Sequence, residues 1–309
     1  MPRRGPVLVT GATGLQGGAV AQQLLAAGHP VSALVRRKDS PAARALAAAG
    51  AVLVPGDMDD PASLDAAMRD VEGVFSVQPT MGQRGVPGGF TPEDEVRLGV
   101  NVADAALRAG VRHLVYSSVG GAERDSGIRR WESKWRIERH LRERGLPATV
   151  LRPVRFMENQ SDPRLGVRGG LLTDVFLPEV PVQLIAVRDI GAFAALAFGD
   201  PETYLGLSLE LAGDQLTMPQ VCQAITEATG GPVAYRPIPR ETLEGQDPDA
   251  LAGYRFANER GGWQADIPAL RRLHPGLLTF RAWLEREGRA QFEALFRGEA
   301  AAGAGPAAR

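Results

Sequence analysis

Short apolar runs alternate with amphipathic stretches through the first half of the chain, the rhythm of strands joined by crossover helices. Val7–Thr10 reads as a strand, Ala19–Ala27 as a helix ended by Gly28, and Val31–Val35 as a second strand. The pattern continues with a helix over Ala42–Ala49, a strand over Val52–Val54 and a short helix over Leu64–Arg69. Gly73–Val77 reads as a fourth strand, followed by a glycine-rich loop from Gly82 to Gly89 and a long helix over Glu93–Ala109. His113–Ser117, a helix over Trp131–Glu143 and a sixth strand over Ala148–Leu151 complete the series. Six strands in strict alternation with helices predict an α/β fold with a doubly wound parallel sheet.

The rhythm breaks after Arg152-Pro153. Asn159 to Pro181 is rich in loop residues and suits a lid or a small subdomain. Asp189 is placed to N-cap a helix over Ile190–Phe198, and Thr217-Met218-Pro219-Gln220 is a capping-box pattern opening a helix to Thr229. A final helix is expected over Leu277–Glu287. The predicted organisation is a main domain over residues 1–155, with 182–200 returning to it. A smaller C-terminal α+β subdomain takes 156–181 and 201–298, and 299–309, mostly Ala, Gly and Pro, forms a disordered tail.

Composition narrows the partners. Of 309 residues, 44% are hydrophobic, enough for a full core. Lys plus Arg is 35 against 36 for Asp plus Glu, so charge alone calls for neither nucleic acid nor a membrane surface. The single cysteine, Cys222, excludes an internal disulfide and reads as a small buried hydrophobe. The basic start is followed by an apolar run, Val7–Val9, too short for a signal peptide, and no stretch approaches the roughly 18 apolar residues of a membrane span. A cytoplasmic protein is expected. His29, His113, His140 and His274 show no metal-ligand spacing.

Gly11, Gly14 and Gly17 stand three residues apart, after a predicted strand and before a predicted helix. A backbone that must turn tightly and approach a pyrophosphate has no room for Cβ atoms, and a helix N-terminus offers free N–H groups to phosphate. The first domain is therefore expected to be a Rossmann-type dinucleotide-binding domain. Where an NAD-binding protein usually carries an acid for the ribose 2′-hydroxyl, this chain reads Val35-Arg36-Arg37-Lys38. Arg36 there suits a 2′-phosphate, so NADP(H) is expected in preference to NAD(H). Asp57, after the third strand, suits equally an adenine contact or a turn, whereas Asp59 and Asp60 read as turn residues. Lys134 falls on one helix face with Ile137 and Leu141, where its charge needs a partner such as a ribose hydroxyl, unless its stem carries the ammonium out to water.

Taken together, Gly11-Ala12-Thr13-Gly14-Leu15-Gln16-Gly17-Gly18, Gly56-Asp57-Met58-Asp59-Asp60, Lys134, Arg152-Pro153 and Phe156-Met157-Glu158-Asn159 resemble the NmrA-like family, an atypical branch of the short-chain dehydrogenase/reductases. The likeness extends through Tyr204-Leu205-Gly206 and Leu278–Leu284, and its nearest flavour is the HSCARG type, described as NADP(H)-binding redox sensors. The resemblance implies that Gly11, Ala12, Thr13, Gly14, Leu15 and Gln16 hold the pyrophosphate and Arg36 the 2′-phosphate. It further implies that Asp57 and Met58 flank the adenine, that Gln78 lies along the cofactor, that Lys134 reaches the nicotinamide ribose, and that Val154, Arg155 and Phe156 line the nicotinamide.

The chain departs from the reductase pattern at Arg130, which occupies the place of the Tyr that active short-chain reductases carry four residues before the Lys. Two functions follow from this. One is a sensor of cofactor ratio acting through a regulatory protein partner. The alternative is an NADPH-dependent reductase of quinones or similar small carbonyl compounds, with Lys134 as the catalytic residue. The sequence does not decide between a monomer and a homodimer.

Overall fold

The computed structural model describes residues 5–83, 85–245 and 248–303. In chain order the elements are β1 (Val7–Val9), α1 (Leu15–Ala26), β2 (Val31–Val35), α2 (Pro41–Ala48), β3 (Val52–Pro55), α3 (Pro61–Ala67), β4 (Gly73–Ser76), α4 (Pro92–Arg108), β5 (His113–Ser117), α5 (Arg129–Glu143) and β6 (Ala148–Pro153). There follow β7 (Arg155–Phe156), β8 (Leu171–Asp174), β9 (Val182–Ile185), α6 (Val187–Gly199), α7 (Pro201–Tyr204) and β10 (Ser208–Leu211). The last are β11 (Asp214–Leu216), α8 (Met218–Thr229), β12 (Ala234–Pro237), α9 (Pro248–Glu259), α10 (Ile267–Leu273), α11 (Phe280–Trp283) and α12 (Arg289–Gly303). The chain divides into two compact units, one of Met1–Pro153 with Val187–Leu211, the other of Val154–Ala186 with Ala212–Arg309.

The first unit holds a seven-stranded sheet in the order β10-β6-β5-β4-β1-β2-β3, with every neighbouring pair parallel. The chain runs outward from β1 to β3 and then crosses back to β4, so the order reverses between β1 and β4. That reversal opens a crevice at the carboxyl ends of those two strands. The central strands are buried on both faces, as a sheet covered by helices requires. On one face Leu8, Val74, Leu114, Tyr116 and Ile137 share one core with Val102. α6 lies so close to α1 that a Cβ at Gly191 would stand 2.7 Å from the carbonyl oxygen of Ala19.

The second unit has its own core around Met157, Leu184, Val221, Phe280, Trp283 and Phe292. Its strands form a three-stranded sheet, β11-β9-β7, and a two-stranded one, β12-β8. Thr217 and Gln220 make the expected capping box at the start of α8.

Several expectations need correction. α1 begins at Leu15, not Ala19, so the third glycine of the triplet sits in its first turn. Asp189 does not cap a helix; it lies buried inside the first turn of α6, which opens at Val187. Residues 182–186, expected in the main domain, fall in the second unit, where β9 pairs with β7 and β11. A seventh strand, β10, pairs with β6 and draws residues 208–211, expected in the smaller subdomain, into the main sheet. The final helix is α11, a π-type turn over Leu284–Gly288 and then α12. A Cβ at Gly288 would stand 2.5 Å from the Trp283 ring, so a large ring and an absent side chain occupy one place. α12 carries the backbone helically to Gly303, so 299–303 are no disordered tail; 304–309 lie outside the described residues.

Candidate functional site

The glycine loop begins where β1 ends. Thr10 is fully buried, and its hydroxyl donates to the Val77 carbonyl at 3.1 Å while accepting from the Val77 N–H at 2.9 Å. This exchange clamps the ends of β1 and β4 at the point where the sheet order reverses. Gly11 then turns with φ +58°, a conformation that costs an L-residue roughly 1–2 kcal/mol. The Gly14 N–H donates to the Gly11 carbonyl at 2.8 Å and closes the loop. Gly14 is the N-cap of α1 and supplies no side-chain cap, and the first turn holds no acidic residue. The first N–H groups of α1 therefore remain for an outside acceptor, and the positive end of the helix dipole is not neutralised.

The three glycines have different jobs. A Cβ at Gly17 would stand 2.3 Å from the Gly11 oxygen and 2.8 Å from the Thr10 oxygen, so Gly17 exists to let α1 seat against its own loop. A Cβ at Gly14 would meet only the Gly11 oxygen, at 3.2 Å, and would otherwise project into open space. Ala12 is buried, Thr13 is exposed, and Leu15 is 60% exposed, unusual for a leucine beside a core. Gln16 accepts from the Ser117 hydroxyl at 2.7 Å, which ties the first turn of α1 to the end of β5.

Around this loop the remaining predicted residues fall as follows. Arg36, Arg37 and Lys38 follow β2 directly, are exposed, and hold no ion pair among the described residues. Asp57 is committed to a turn: its carboxylate accepts from the Asp59 N–H at 3.0 Å, and its own N–H donates to Ser63 Oγ at 2.9 Å. Asp60 caps α3, and Met58 is fixed by Asn101, whose amide donates to its carbonyl at 3.0 Å. Gln78 is buried at the end of β4; its amide nitrogen donates to Ser76 Oγ at 2.9 Å, and its Oε1 has no partner.

Lys134 differs from expectation. Its charge already has partners within the protein: Nζ is paired with Glu95 Oε1 and donates to Thr80 Oγ1 at 3.0 Å. Glu95, fully buried on α4, also accepts from Thr80 Oγ1 at 2.9 Å and, at Oε2, from Ser133 Oγ at 2.8 Å. An ammonium has three donors, so one N–H of Lys134 remains. Glu95 escaped the sequence reading, although a carboxylate on the same helix face as Leu98 and Val102 was the available signal.

A second buried carboxylate, Glu138 on α5, accepts from Arg152 at 3.0 and 2.7 Å, from Arg142 at 3.0 Å and from Ser118 Oγ at 2.6 Å. Burial opposes the charge on Arg152, but the hydrogen bonds and charge of Glu138 outweigh it and hold Arg152 above its ordinary value. Tyr116, on β5, is fully buried, and its hydroxyl has no partner. Burial, then the charges of Glu95 and Glu138, push its phenol well above the usual range.

Val154, Arg155 and Phe156 belong to the second unit. Val154 is buried, and Arg155 pairs with Asp174 at 2.5 Å with its guanidinium 5.4 Å from the Phe176 ring centroid. Tyr235, in the same unit, donates to the Phe176 carbonyl at 2.5 Å, and burial pushes its phenol well above the usual range. Cys222 is buried in the second core. Among the described residues no group of His, Cys, Asp and Glu side chains is disposed to hold a metal ion, and no helix is long and apolar enough to cross a membrane.

A parallel sheet in this order, with an uncapped helix opening on a glycine loop at its switch point, defines a Rossmann-type α/β protein. Residues 4–253 match the model of the NmrA-like family, and the chain belongs to that family. It is 34% identical over 250 residues to an NAD(P)H azoreductase of Xenophilus azovorans, covering 80% of each chain. Among solved structures it resembles the NADPH-dependent quinone oxidoreductase QOR2 of Escherichia coli, complexed with NADPH, with a TM-score of 0.73 and 25% identity over 91% of this chain and 99% of that one. It shares the fold of NmrA, a negative transcriptional regulator, in complex with NADP, with a TM-score of 0.75 and 23% identity over 94% and 98% of the two chains.

Proposed function

We propose that this protein is an NAD(P)H-dependent reductase that binds its dinucleotide on the glycine loop and reduces acceptors needing no dedicated proton donor, quinones foremost. The observation that carries the reading is the uncapped start of α1 behind Gly11 and Gly14. It presents N–H groups where a pyrophosphate binds, with no Cβ in the way. The unpartnered, buried Oε1 of Gln78 is a second group suited to a bound cofactor. In this reading Gly11, Ala12, Thr13, Gly14, Leu15, Gln16 and Gly17 hold the pyrophosphate, and Arg36 grips a 2′-phosphate. Asp57 and Met58 border the adenine, and Gln78 and Lys134 face the nicotinamide end.

The bound dinucleotide supplies a hydride. The choice of acceptor follows from the donors this chain lacks. Arg130 stands in the Tyr position, and an arginine does not release its proton at ordinary pH. Ser118 donates to Glu138, Lys134 to Glu95 and Thr80, and Arg155 to Asp174. Tyr116 is sealed in the core. A quinone that accepts hydride leaves a stabilised hydroquinone anion, which takes its proton from water. An aldehyde leaves an alkoxide, which requires a positioned acid worth roughly 10²–10⁴ in rate.

NADPH and NADH oxidation, followed with quinones and aldehydes beside a binding titration, tests this directly. Turnover of quinones with little turnover of aldehydes is expected. Binding without oxidation of any acceptor would instead favour a cofactor-ratio sensor that acts through a protein partner. The engagement of Ser118 by Glu138 and of Arg155 by Asp174 is the observation on that side. Fast aldehyde reduction would overturn both readings.

A further inference from the structure

We infer that Glu95 is a positioning residue for Lys134, acting with Thr80 and Ser133 to hold the ammonium so that its remaining N–H serves the bound dinucleotide; this rests on the reading of the first unit as a dinucleotide-binding reductase. Three observations combine. Glu95 is fully buried and receives three donors, Lys134, Thr80 and Ser133, which come from α5 and from the segment after β4. Thr80 donates its one hydroxyl proton to Glu95, so toward Lys134 it can only accept, which leaves its geometry a single solution. The Lys134 side chain stays 12% exposed although its partner is not exposed at all, so the lysine reaches the protein surface where the carboxylate does not. A pair serving stability alone gains nothing from that arrangement, since a buried ion pair contributes little over well-packed apolar residues. A lysine fixed at two of its three donors, with the third uncommitted, is what orienting a ligand hydroxyl demands.

The test is a double-mutant cycle read by dinucleotide titration and by denaturant unfolding of the cofactor-free protein. Glu95→Gln keeps the shape and removes the charge. In the Lys134 background it is expected to weaken NADPH binding roughly ten-fold or more, the loss of one well-made charged contact. In the Lys134→Met background the same change should alter affinity by less than about two-fold, because nothing remains to position. In unfolding, Lys134→Met alone should be less stable than the Glu95→Gln, Lys134→Met double variant, since the single change strands a carboxylate in the core. Thr80→Val, which removes one oxygen and keeps the volume, should weaken binding several-fold in the Lys134 background alone, and it serves as the reading if Glu95→Gln fails to fold. An equal loss in both backgrounds would reduce Glu95 to a structural residue and overturn the inference, as would unchanged binding in Glu95→Gln. Failure of the unaltered protein to bind either NADPH or NADH is a separate outcome, which would overturn the dinucleotide reading and this inference together.

Discussion

Replacing Gly17 and Gly14 in turn by alanine should separate the glycine that builds the loop from the glycine that admits the ligand. At Gly17 the new methyl would stand 2.3 Å from the Gly11 oxygen and 2.5 Å from its carbonyl carbon. An ordinary carbon–oxygen contact is about 3.3 Å, so something must move by about 1 Å. Every obstructing atom is backbone, held by the Thr10–Val77 clamp, and no rotamer change relieves the clash. The cost should therefore reach the upper part of the overpacking range, about 3 kcal/mol, or roughly 6–12 °C in the melting temperature of a unit of this size. At Gly14 the methyl meets one oxygen at 3.2 Å, and the backbone, at φ −92° and ψ 178°, suits any residue. Gly14→Ala should cost under about 1 kcal/mol, the difference between glycine and alanine at an N-cap. It places a methyl where the pyrophosphate must lie, so NADPH affinity should fall at least about ten-fold, or 1.4 kcal/mol. Thermal unfolding without cofactor and a fluorescence titration with NADPH read the two effects. A Gly17→Ala protein as stable as the unaltered one would refute the packing argument. Undiminished NADPH binding by a folded Gly14→Ala protein would refute the placement of the phosphates.

Three further outcomes are expected. Arg36→Ala should weaken NADPH by roughly 1.5–3 kcal/mol while sparing NADH, since only NADPH offers a charge-assisted phosphate contact; equal effects on both in paired titrations would remove the assignment. Glu138→Gln should destabilise the cofactor-free protein by about 3 kcal/mol, because it leaves Arg152 and Arg142 facing a neutral amide, and urea unfolding close to that of the unaltered protein would show the pair to be dispensable. His113 is buried, and Thr149, whose hydroxyl donates to the Tyr204 carbonyl at 2.7 Å, must accept from the His113 Nε2–H at 2.8 Å, so the imidazole is neutral with Nδ1 bare. Burial lowers its pKa from 6.5 to about 4, so between those values the unfolded chain binds the extra proton and stability falls as pH falls, by about 3 kcal/mol in all. His113→Gln should flatten that part of the profile, and an unchanged slope between pH 7 and 4.5 would exclude His113 as its source.

What the sequence determined by itself was whatever depends on neighbours along the chain. The alternation of apolar runs and helices placed six strands of the main sheet. The glycine spacing placed the loop, and the Thr217–Gln220 pair placed a capping box, because turn geometry, helix periodicity and capping are local properties. The absence of a tyrosine four residues before Lys134 was equally plain in one dimension. The tertiary structure decided everything that rests on residues distant in sequence. β10 is short, half-polar and at a sheet edge, so nothing local marks it as a strand until β6 offers its hydrogen bonds. The π-type turn exists because Trp283 needs the space that Gly288 leaves. Asp189 has the residue type of a cap, but the helix opens two residues earlier. Most of all, the partner of Lys134 lies 39 residues away on another helix, and the partner of Ser118 lies 20 residues away. A buried charge must be compensated, and the sequence announces that demand. Which side chain answers it depends on how the helices are laid against the sheet, and that is a property of the fold.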